Sequence, residues 1–246
     1  MFAIENLTCA YGAAIAVSDV SLALGRGEIL ALIGANGAGK TSTIMAAMGH
    51  VKVVSGTIRI GDREIISEPA RDRPKLGLSV VPEGRRLFND LTVEENLIVG
   101  GYTRKREAAR LEMEKIYDLF PRLAERRGQA AGSMSGGEQQ MLAIGRALMT
   151  APKVLLIDEL SLGLMPKMID FCLDTIVRLK QEGLAIVLVE QNTDRAFDVA
   201  DKVAVMAAGR VVASGPPSEI VDRERFFSAY LGLHGEALST SRPADL

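Results

Sequence analysis

The sequence predicts an α/β protein. Its core is a largely parallel sheet buried on both faces, with an antiparallel β portion at the N-terminus and a helical portion inserted in the middle. Three observations carry this reading. Nearly continuous apolar runs at 28–33, 154–157 and 184–189 lack the alternation of a half-solvated strand, and each ends at glycine or polar residues. Short apolar segments broken by Tyr11-Gly12 and by 25–27 occupy the N-terminal stretch, and 91–149 is mostly helical by pattern.

Taken in order, Ile4 and Leu7, then Val17, Val20, Leu22 and Leu24, suggest antiparallel strands. The run from Glu28 to Ile33 reads as a buried parallel strand, and Lys40 to Met48 as the helix that follows it. Thr92-Val93-Glu94-Glu95 has the form of a capped helix start; Glu107 to Leu119 carries Leu111, Ile116 and Leu119; Ser135 to Leu148 reads as an N-capped amphipathic helix. Buried strands are predicted at Val154–Ile157 and Leu184–Val189. A hairpin follows, from Val203–Met206 through an Ala208-Gly209 turn to Val211-Val212, and then a short helix after Pro216-Pro217-Ser218. The expected organisation is one domain over 1–233, with the helical portion at about 88–150, and a loose tail over 234–246.

With 246 residues and 48% hydrophobic content, the chain has enough apolar material for a full core. A formal charge of −2, with Lys and Arg dispersed, gives no electrostatic footprint for nucleic acid, and none is expected as a partner. Cys9 and Cys172 are far apart and form no C-x-x-C, so neither a disulfide framework nor a zinc site is suggested. No apolar run reaches the ~18 residues of a membrane span, and Glu5 interrupts what a signal peptide would keep apolar. The expectation is a cytoplasmic chain that reaches a membrane only through partners.

Three motifs carry chemistry. Gly34-Ala35-Asn36-Gly37-Ala38-Gly39-Lys40-Thr41 fits G-x-x-x-x-G-K-[ST], a loop whose backbone N–H groups and following helix N-terminus surround phosphate oxygens. In it Lys40 reaches the outer phosphates and Thr41 offers a hydroxyl to Mg²⁺. Asp158 and Glu159 emerge after Val154-Leu155-Leu156-Ile157, at the strand end where α/β sheets place ligands. Adjacent carboxylates there serve a metal and an attacking water in different directions. Ser135-Gly136-Gly137-Glu138 combines an N-cap serine with an unhindered glycine pair, which makes the helix start an anion site.

With Met134-Ser135-Gly136-Gly137-Glu138-Gln139-Gln140 in place, the chain resembles the ATP-binding cassette superfamily of P-loop NTPases over residues 2–233. The resemblance implies an ATPase with ATP and Mg²⁺ as cofactors. Nucleotide contacts are expected at Tyr11, Gly34, Asn36, Gly37, Ala38, Gly39, Lys40, Thr41 and Ser42, with Tyr11 stacking on adenine. Thr41, Glu83 and Asp158 are expected at the metal, Glu159 as general base, and Gln191 near the γ-phosphate. Ser135, Gly136 and Gly137 are expected to cap an ATP held by a partner's phosphate loop.

Finer resemblance comes from Val81-Pro82-Glu83-Gly84-Arg85-Arg86-Leu87-Phe88, Leu91 to Leu97, Val189-Glu190-Gln191-Asn192 and Phe226 to Gly232. These are similar to the LivF-type ATPase subunit of branched-chain amino acid importers; urea and amide importers share much of the pattern. Glu83 and Gln191 stand where most cassettes carry glutamine and histidine, a departure typical of this subgroup. Leu160, in place of the usual proline, and Met165, in place of a frequent aspartate, do not follow the subgroup. The resemblance implies a second, generally unlike, cassette, membrane permeases and a solute-binding protein as partners, at the cytoplasmic face of the membrane. Arg85 and Arg86 are expected near the permease. A soluble cassette protein of DNA repair or translation normally needs a coiled-coil insertion, tandem cassette or basic surface, and a phosphate-loop kinase has no use for the Ser135 element.

Overall fold

The structure, a computed structural model, describes residues 2–191 and 193–220. In chain order the elements are β1 (Phe2–Tyr11), β2 (Ala14–Leu24), β3 (Ile29–Gly34), α1 (Lys40–Ala47), β4 (Lys52–Ile60), β5 (Arg63–Glu64), a 3₁₀ segment (Ala70–Leu76) and β6 (Leu78–Val81). Next come α2 (Val93–Gly100), α3 (Arg106–Leu119), α4 (Pro121–Glu125), α5 (Gly136–Leu148), β7 (Val154–Asp158) and α6 (Pro166–Gln181). The series closes with β8 (Ala185–Glu190), α7 (Thr193–Val199), β9 (Lys202–Ala207), β10 (Arg210–Gly215) and α8 (Pro217–Ile220). The predicted contribution of Phe226 to Gly232 and the tail from 234 lie outside the described residues.

Two sheets result. One is antiparallel, in the order β2-β1-β4-β5; the other runs β10-β9-β3-β8-β7-β6 and is parallel except for the β9–β10 hairpin. The apolar runs are continuous because both faces of the larger sheet are covered. Leu30, Leu32, Leu156, Val187 and Val189 face the antiparallel sheet, where they join Ile44 and Ala47 of α1 with Leu7, Val17 and Ile58. Ile29, Leu155, Ile157, Ile186 and Leu188 point the other way, onto Leu142 and Ile144 of α5 and Cys172 and Ile176 of α6. Helix α1 thus lies between the sheets, with its N-terminus where β3 ends.

Strands β4, β5 and β6 and helices α6 and α7 have no counterpart among the predicted elements. Strand β4 buries Ile58 and Ile60 alone and is interrupted by Gly56, whose φ of 99° fits a bulge; a Cβ there would lie 2.6 Å from the carbonyl oxygens of Glu5 and Asn6. Strands β5 and β6 span 2 and 4 residues. Helix α6 starts with Pro166 in its first turn and buries Cys172, Leu173, Ile176 and Leu179 at helical spacing. In α3, Ile116 is buried but Leu111 is 60% exposed. Five residues separate them, a rotation that leaves them ~140° apart around the helix, so one face cannot bury both.

Candidate active site at the strand ends

Strands β3, β7 and β8 are neighbours, in register Ile33↔Glu190 and Asp158↔Val189, so Gly34, Asp158 and Glu190 reach the same edge. The phosphate loop leaves β3 at Gly34, where the chain passes so close to β9 that a Cβ would lie 2.4 Å from the Met206 carbonyl oxygen. Gly39 (φ 102°) then turns the chain into α1. Lys40 is buried, and its ammonium donates to the carbonyls of Gly34 (2.7 Å) and Ala35 (3.2 Å). Burial pulls it below the ordinary lysine range, opposed by Glu159, Asp158 and Glu190. A cation held only by carbonyls, with open loop around it at Ala35, Asn36 and Gly37, has a coordination shell that phosphate oxygens can take over.

Opposite the loop, Thr41 Oγ1 donates to Asp158 Oδ1 at 3.1 Å. Asp158 is almost fully buried, and its other oxygen, Oδ2, has no hydrogen-bond partner. Desolvation, with Glu83 and Glu159 adding like charge, pushes its carboxyl up to about 6 despite the Thr41 hydrogen bond. An orphaned carboxylate oxygen beside a threonine hydroxyl fits a hydrated divalent cation that takes its remaining ligands from phosphate and water. Consistent with so few protein ligands, the described residues hold no cluster of three or more His, Cys, Asp or Glu able to bind a metal. Glu83 is exposed, yet its charge acts on Asp158 from the loop after β6.

Glu159 is half-buried and has a φ of 53°, left-handed for a residue with a side chain, while its N–H donates to Val189 O at 3.0 Å. Gln191 Nε2 donates to Glu159 Oε1 at 2.6 Å, so the two residues expected to act on the terminal phosphate already touch. Tyr11 ends β1 and is 54% exposed; two residues before it the Cys9 thiol faces the Ser42 carbonyl of α1 at 3.9 Å. The aromatic ring is thus exposed at the end of the strand whose Cys9 meets α1.

Ser135 caps α5 in a reciprocal box. Its N–H and Oγ donate to Glu138 Oε2 at 3.0 and 2.7 Å, and Glu138 N donates back to Ser135 Oγ at 3.4 Å. Arg126 and Arg122, at 3.1 and 3.6 Å from Glu138 Oε1, hold that carboxylate in turn. Ser135 is exposed, Gly136 half-buried and Gly137 buried; a Cβ on Gly137 would press on the Met168 side chain of α6 at 2.6 Å. A side chain at the second glycine would make Met168 shift.

One expectation is changed by the geometry. Arg85 (φ 65°) turns inward, donating to Gln140 Oε1 (3.2 Å), Gln139 Oε1 (3.3 Å) and the Leu162 carbonyl (3.3 Å), so it braces α5 and the segment after Glu159. Arg86 stays exposed, beside Phe88, whose ring lies under the Arg146 guanidinium at 5.5 Å. Two residues quoted in the motifs had no role assigned by sequence. Asn96 is fully buried and ties the loop before α2 together, accepting from Phe88 N at 3.0 Å and donating to the carbonyls of Phe88 (3.0 Å), Leu91 (3.3 Å) and Thr92 (3.0 Å). Glu190 is 2% exposed and accepts from Ser161 N (3.0 Å) and Ser161 Oγ (2.7 Å); burial raises its carboxyl above the ordinary range in spite of them. A carboxylate directly after the six-residue apolar run 184–189, next to Gln191, was the available signal.

A cavity of about 500 Å³ lies at the opposite end of the sheet, lined by Arg26, Lys153, Gly183 and neighbours, and takes no part in this arrangement. No helix among the described residues is long and apolar enough to cross a membrane.

Comparison with known proteins agrees with this geometry. Residues 17–161 match the family described as ABC transporter. The chain is 45% identical to the high-affinity branched-chain amino acid transport ATP-binding protein BraG of Pseudomonas aeruginosa, over 94% of this chain and 100% of that one. It is 36% identical to the probable branched-chain amino acid transport ATP-binding protein LivF of Archaeoglobus fulgidus (87% and 92% covered). It is also 33% identical to the lipopolysaccharide export system ATP-binding protein LptB of Haemophilus influenzae (93% and 95% covered). Among solved structures, an ATP-binding subunit of an ABC transporter superposes with a TM-score of 0.80 at 28% identity, covering 95% of this chain and 97% of that one. Phosphate loop, strand-end carboxylates and capped glycine helix, joined in one fold, make the chain a member of the ABC transporter ATP-binding family, an ATPase that powers transport.

Proposed function

We propose that this chain is the ATP-hydrolysing subunit of an importer of branched-chain or related apolar amino acids. The observation that carries the reading is the pairing of Glu159 with Gln191 at 2.6 Å, because it places a carboxylate and the subgroup's glutamine together at the strand ends. The near full-length likeness to BraG supports the choice of solute class.

In the proposed cycle ATP lies with its adenine on Tyr11 and its phosphates on the N–H groups of Gly37, Ala38, Gly39, Lys40 and Thr41, with the Ser42 end of the turn closing the site. Lys40 exchanges the Gly34 and Ala35 carbonyls for phosphate oxygens, which relieves a buried cation. Thr41, Asp158 and Glu83 would hold Mg²⁺, which supplies charge neutralisation and orientation of the phosphates. Glu159 takes the proton of the attacking water, and Gln191 holds its carboxylate in line. Ser135, Gly136 and Gly137 cap the γ-phosphate of the ATP bound by a second cassette, so closure is favoured only while that phosphate is present.

The same reading assigns the permease to the open groove of about 310 Å³ between the sheet and the helical portion, lined by Met48, Pro74, Phe88, Val99 and Tyr102. Phe88 and Tyr102, 50% and 60% exposed, give that groove an apolar rim suited to a short permease segment. This puts the chain at the cytoplasmic face of a membrane, beside a second cassette and, through the permeases, a solute-binding protein.

The test is purification from detergent-solubilised membranes, identification of the associated chains, and ATP-driven uptake of labelled leucine after reconstitution. Leucine uptake that is lost on omitting ATP is expected. Uptake of urea or an amide instead would move the chain to those importers, and association with no membrane protein would refute the transport role.

A further inference from the structure

Glu159 belongs to a closed ring of covalent and hydrogen bonds. Two residues after it, Ser161 donates from both N (3.0 Å) and Oγ (2.7 Å) to the two carboxylate oxygens of Glu190. Glu190 is followed in the chain by Gln191, whose amide returns to Glu159 Oε1 at 2.6 Å. Leu160, fully buried, pins the near side of the ring, and a turn closed by Leu164 N to Ser161 O (3.2 Å), with Gly163 at φ 68°, finishes the far side. The Leu162 carbonyl, on that turn, receives Arg85 from the loop after β6.

We propose that Glu190 is a positioning residue for hydrolysis: by gripping Ser161 with both oxygens it fixes the approach of the Gln191 amide to Glu159 and so the direction of the general base. The assignment rests on the reading of Glu159 and Gln191 as the groups that act on the attacking water. A carboxylate buried to 2% exposure is costly to place in a sheet core, and the partners it gathers here are the hydroxyl and N–H of Ser161, in the segment flanking the base, and the backbone N–H of Gln191. Its bidentate grip matters because each single bond would leave the 160–164 turn free to swing about the other. A displacement of ~1 Å at the base is enough to cost up to ~100-fold in rate. An amide in place of the carboxylate can keep both bonds, its oxygen accepting from Ser161 N–H and its NH₂ donating to Ser161 Oγ, whereas methionine removes both acceptors at similar volume and so opens the grip.

The experiment compares the parent with Glu190→Met, Ser161→Ala, Gln191→Ala, the double variant Glu190→Met/Gln191→Ala and, as a control, Glu159→Gln. Steady-state phosphate release gives kcat and KM, and a thermal scan gives the folded fraction. Expected is a ~10- to 100-fold loss of kcat for Glu190→Met, with KM for ATP within about twofold and kcat corrected for folded protein. A smaller loss is expected for Ser161→Ala, and the double variant should be little slower than the worse single one, since both changes act through one orientation. A purely structural Glu190 would instead lower the folded fraction and leave kcat per folded molecule unchanged, which overturns the proposal; so would multiplicative losses in the double variant. Should Glu190→Met not fold, Ser161→Ala decides: parental kcat there refutes the grip. If Glu159→Gln itself keeps parental turnover, the reading of the general base fails; if only Glu159→Gln is slow, this inference alone fails.

Discussion

Replacing Gln191 by alanine removes a single hydrogen bond whose geometry sets the size of the effect. The Nε2 group lies 2.6 Å from Glu159 Oε1, and the acceptor is a carboxylate, so the bond is of the charge-assisted kind. Such bonds contribute ~1.5–3 kcal/mol, equivalent to ~10- to 150-fold in rate at ~1.4 kcal/mol per decade. Gln191 is exposed and Glu159 half-buried, so water takes over part of the vacated bond, which favours the low end, a ~10- to 30-fold loss. Because the bond orients the base and leaves the loop that binds ATP untouched, the loss should fall on kcat with KM unchanged. Phosphate release at saturating and limiting ATP measures both. Gln191→His keeps an N–H donor and should recover most of the rate. Parental kcat in Gln191→Ala, or a rise in KM equal to the whole loss, would refute the orienting role.

Further outcomes follow from particular contacts. Asn96→Ala leaves the Phe88 N–H without its buried partner, and urea denaturation should show ~1–3 kcal/mol lost; an unchanged midpoint would mean that the loop before α2 is held otherwise. Gly34→Ala drives a Cβ to 2.4 Å from the Met206 backbone oxygen, so it should destabilise by ~1–3 kcal/mol and weaken ATP binding together; normal stability would contradict the close approach. Asp158, raised from 3.8 to about 6, favours its protonated form in the folded state, so its contribution to stability is full below 3.8 and is lost as pH rises through about 6. Without nucleotide and Mg²⁺, the parent's thermal midpoint should fall across that window relative to Asp158→Asn, and parallel curves for the two would dispose of the shift. Phe88→Ala should reduce co-purification of permease severalfold while ATP binding by the chain stays as it was; full co-purification would place the permease elsewhere.

The sheet's inner strands were legible because burial on both faces leaves an unmistakable run of apolar residues, as in Val154–Ile157 and Ala185–Val189. The phosphate loop was legible because only glycine tolerates what the backbone does at Gly34 and Gly39. Strand β4 hid its single buried stripe behind a bulge and had no clean period; helix α3 was legible at Glu107–Leu119, but its buried face was not, because Leu111 is exposed where Ile116 is buried. Polar contacts between distant segments leave no local pattern at all. Arg85 reads as a solvated or permease-facing cation until the fold brings Gln139, Gln140 and Leu162 to it, and Glu190 reads as a strand-end carboxylate until Ser161 is seen in its grip.

The central claim, that one chain's strand-end site is completed by another chain's Ser135 element, is tested most directly by nucleotide occlusion. In the transporter purified with its second cassette, Glu159→Gln should retain labelled ATP through a chase of unlabelled nucleotide while hydrolysis falls ~10²- to 10⁴-fold. Adding Ser135→Arg should release the ATP bound by the partner cassette, because a bulky cation then stands where the γ-phosphate must be capped. ATP that stays occluded in spite of Ser135→Arg, or parental turnover in Glu159→Gln, would contradict the account.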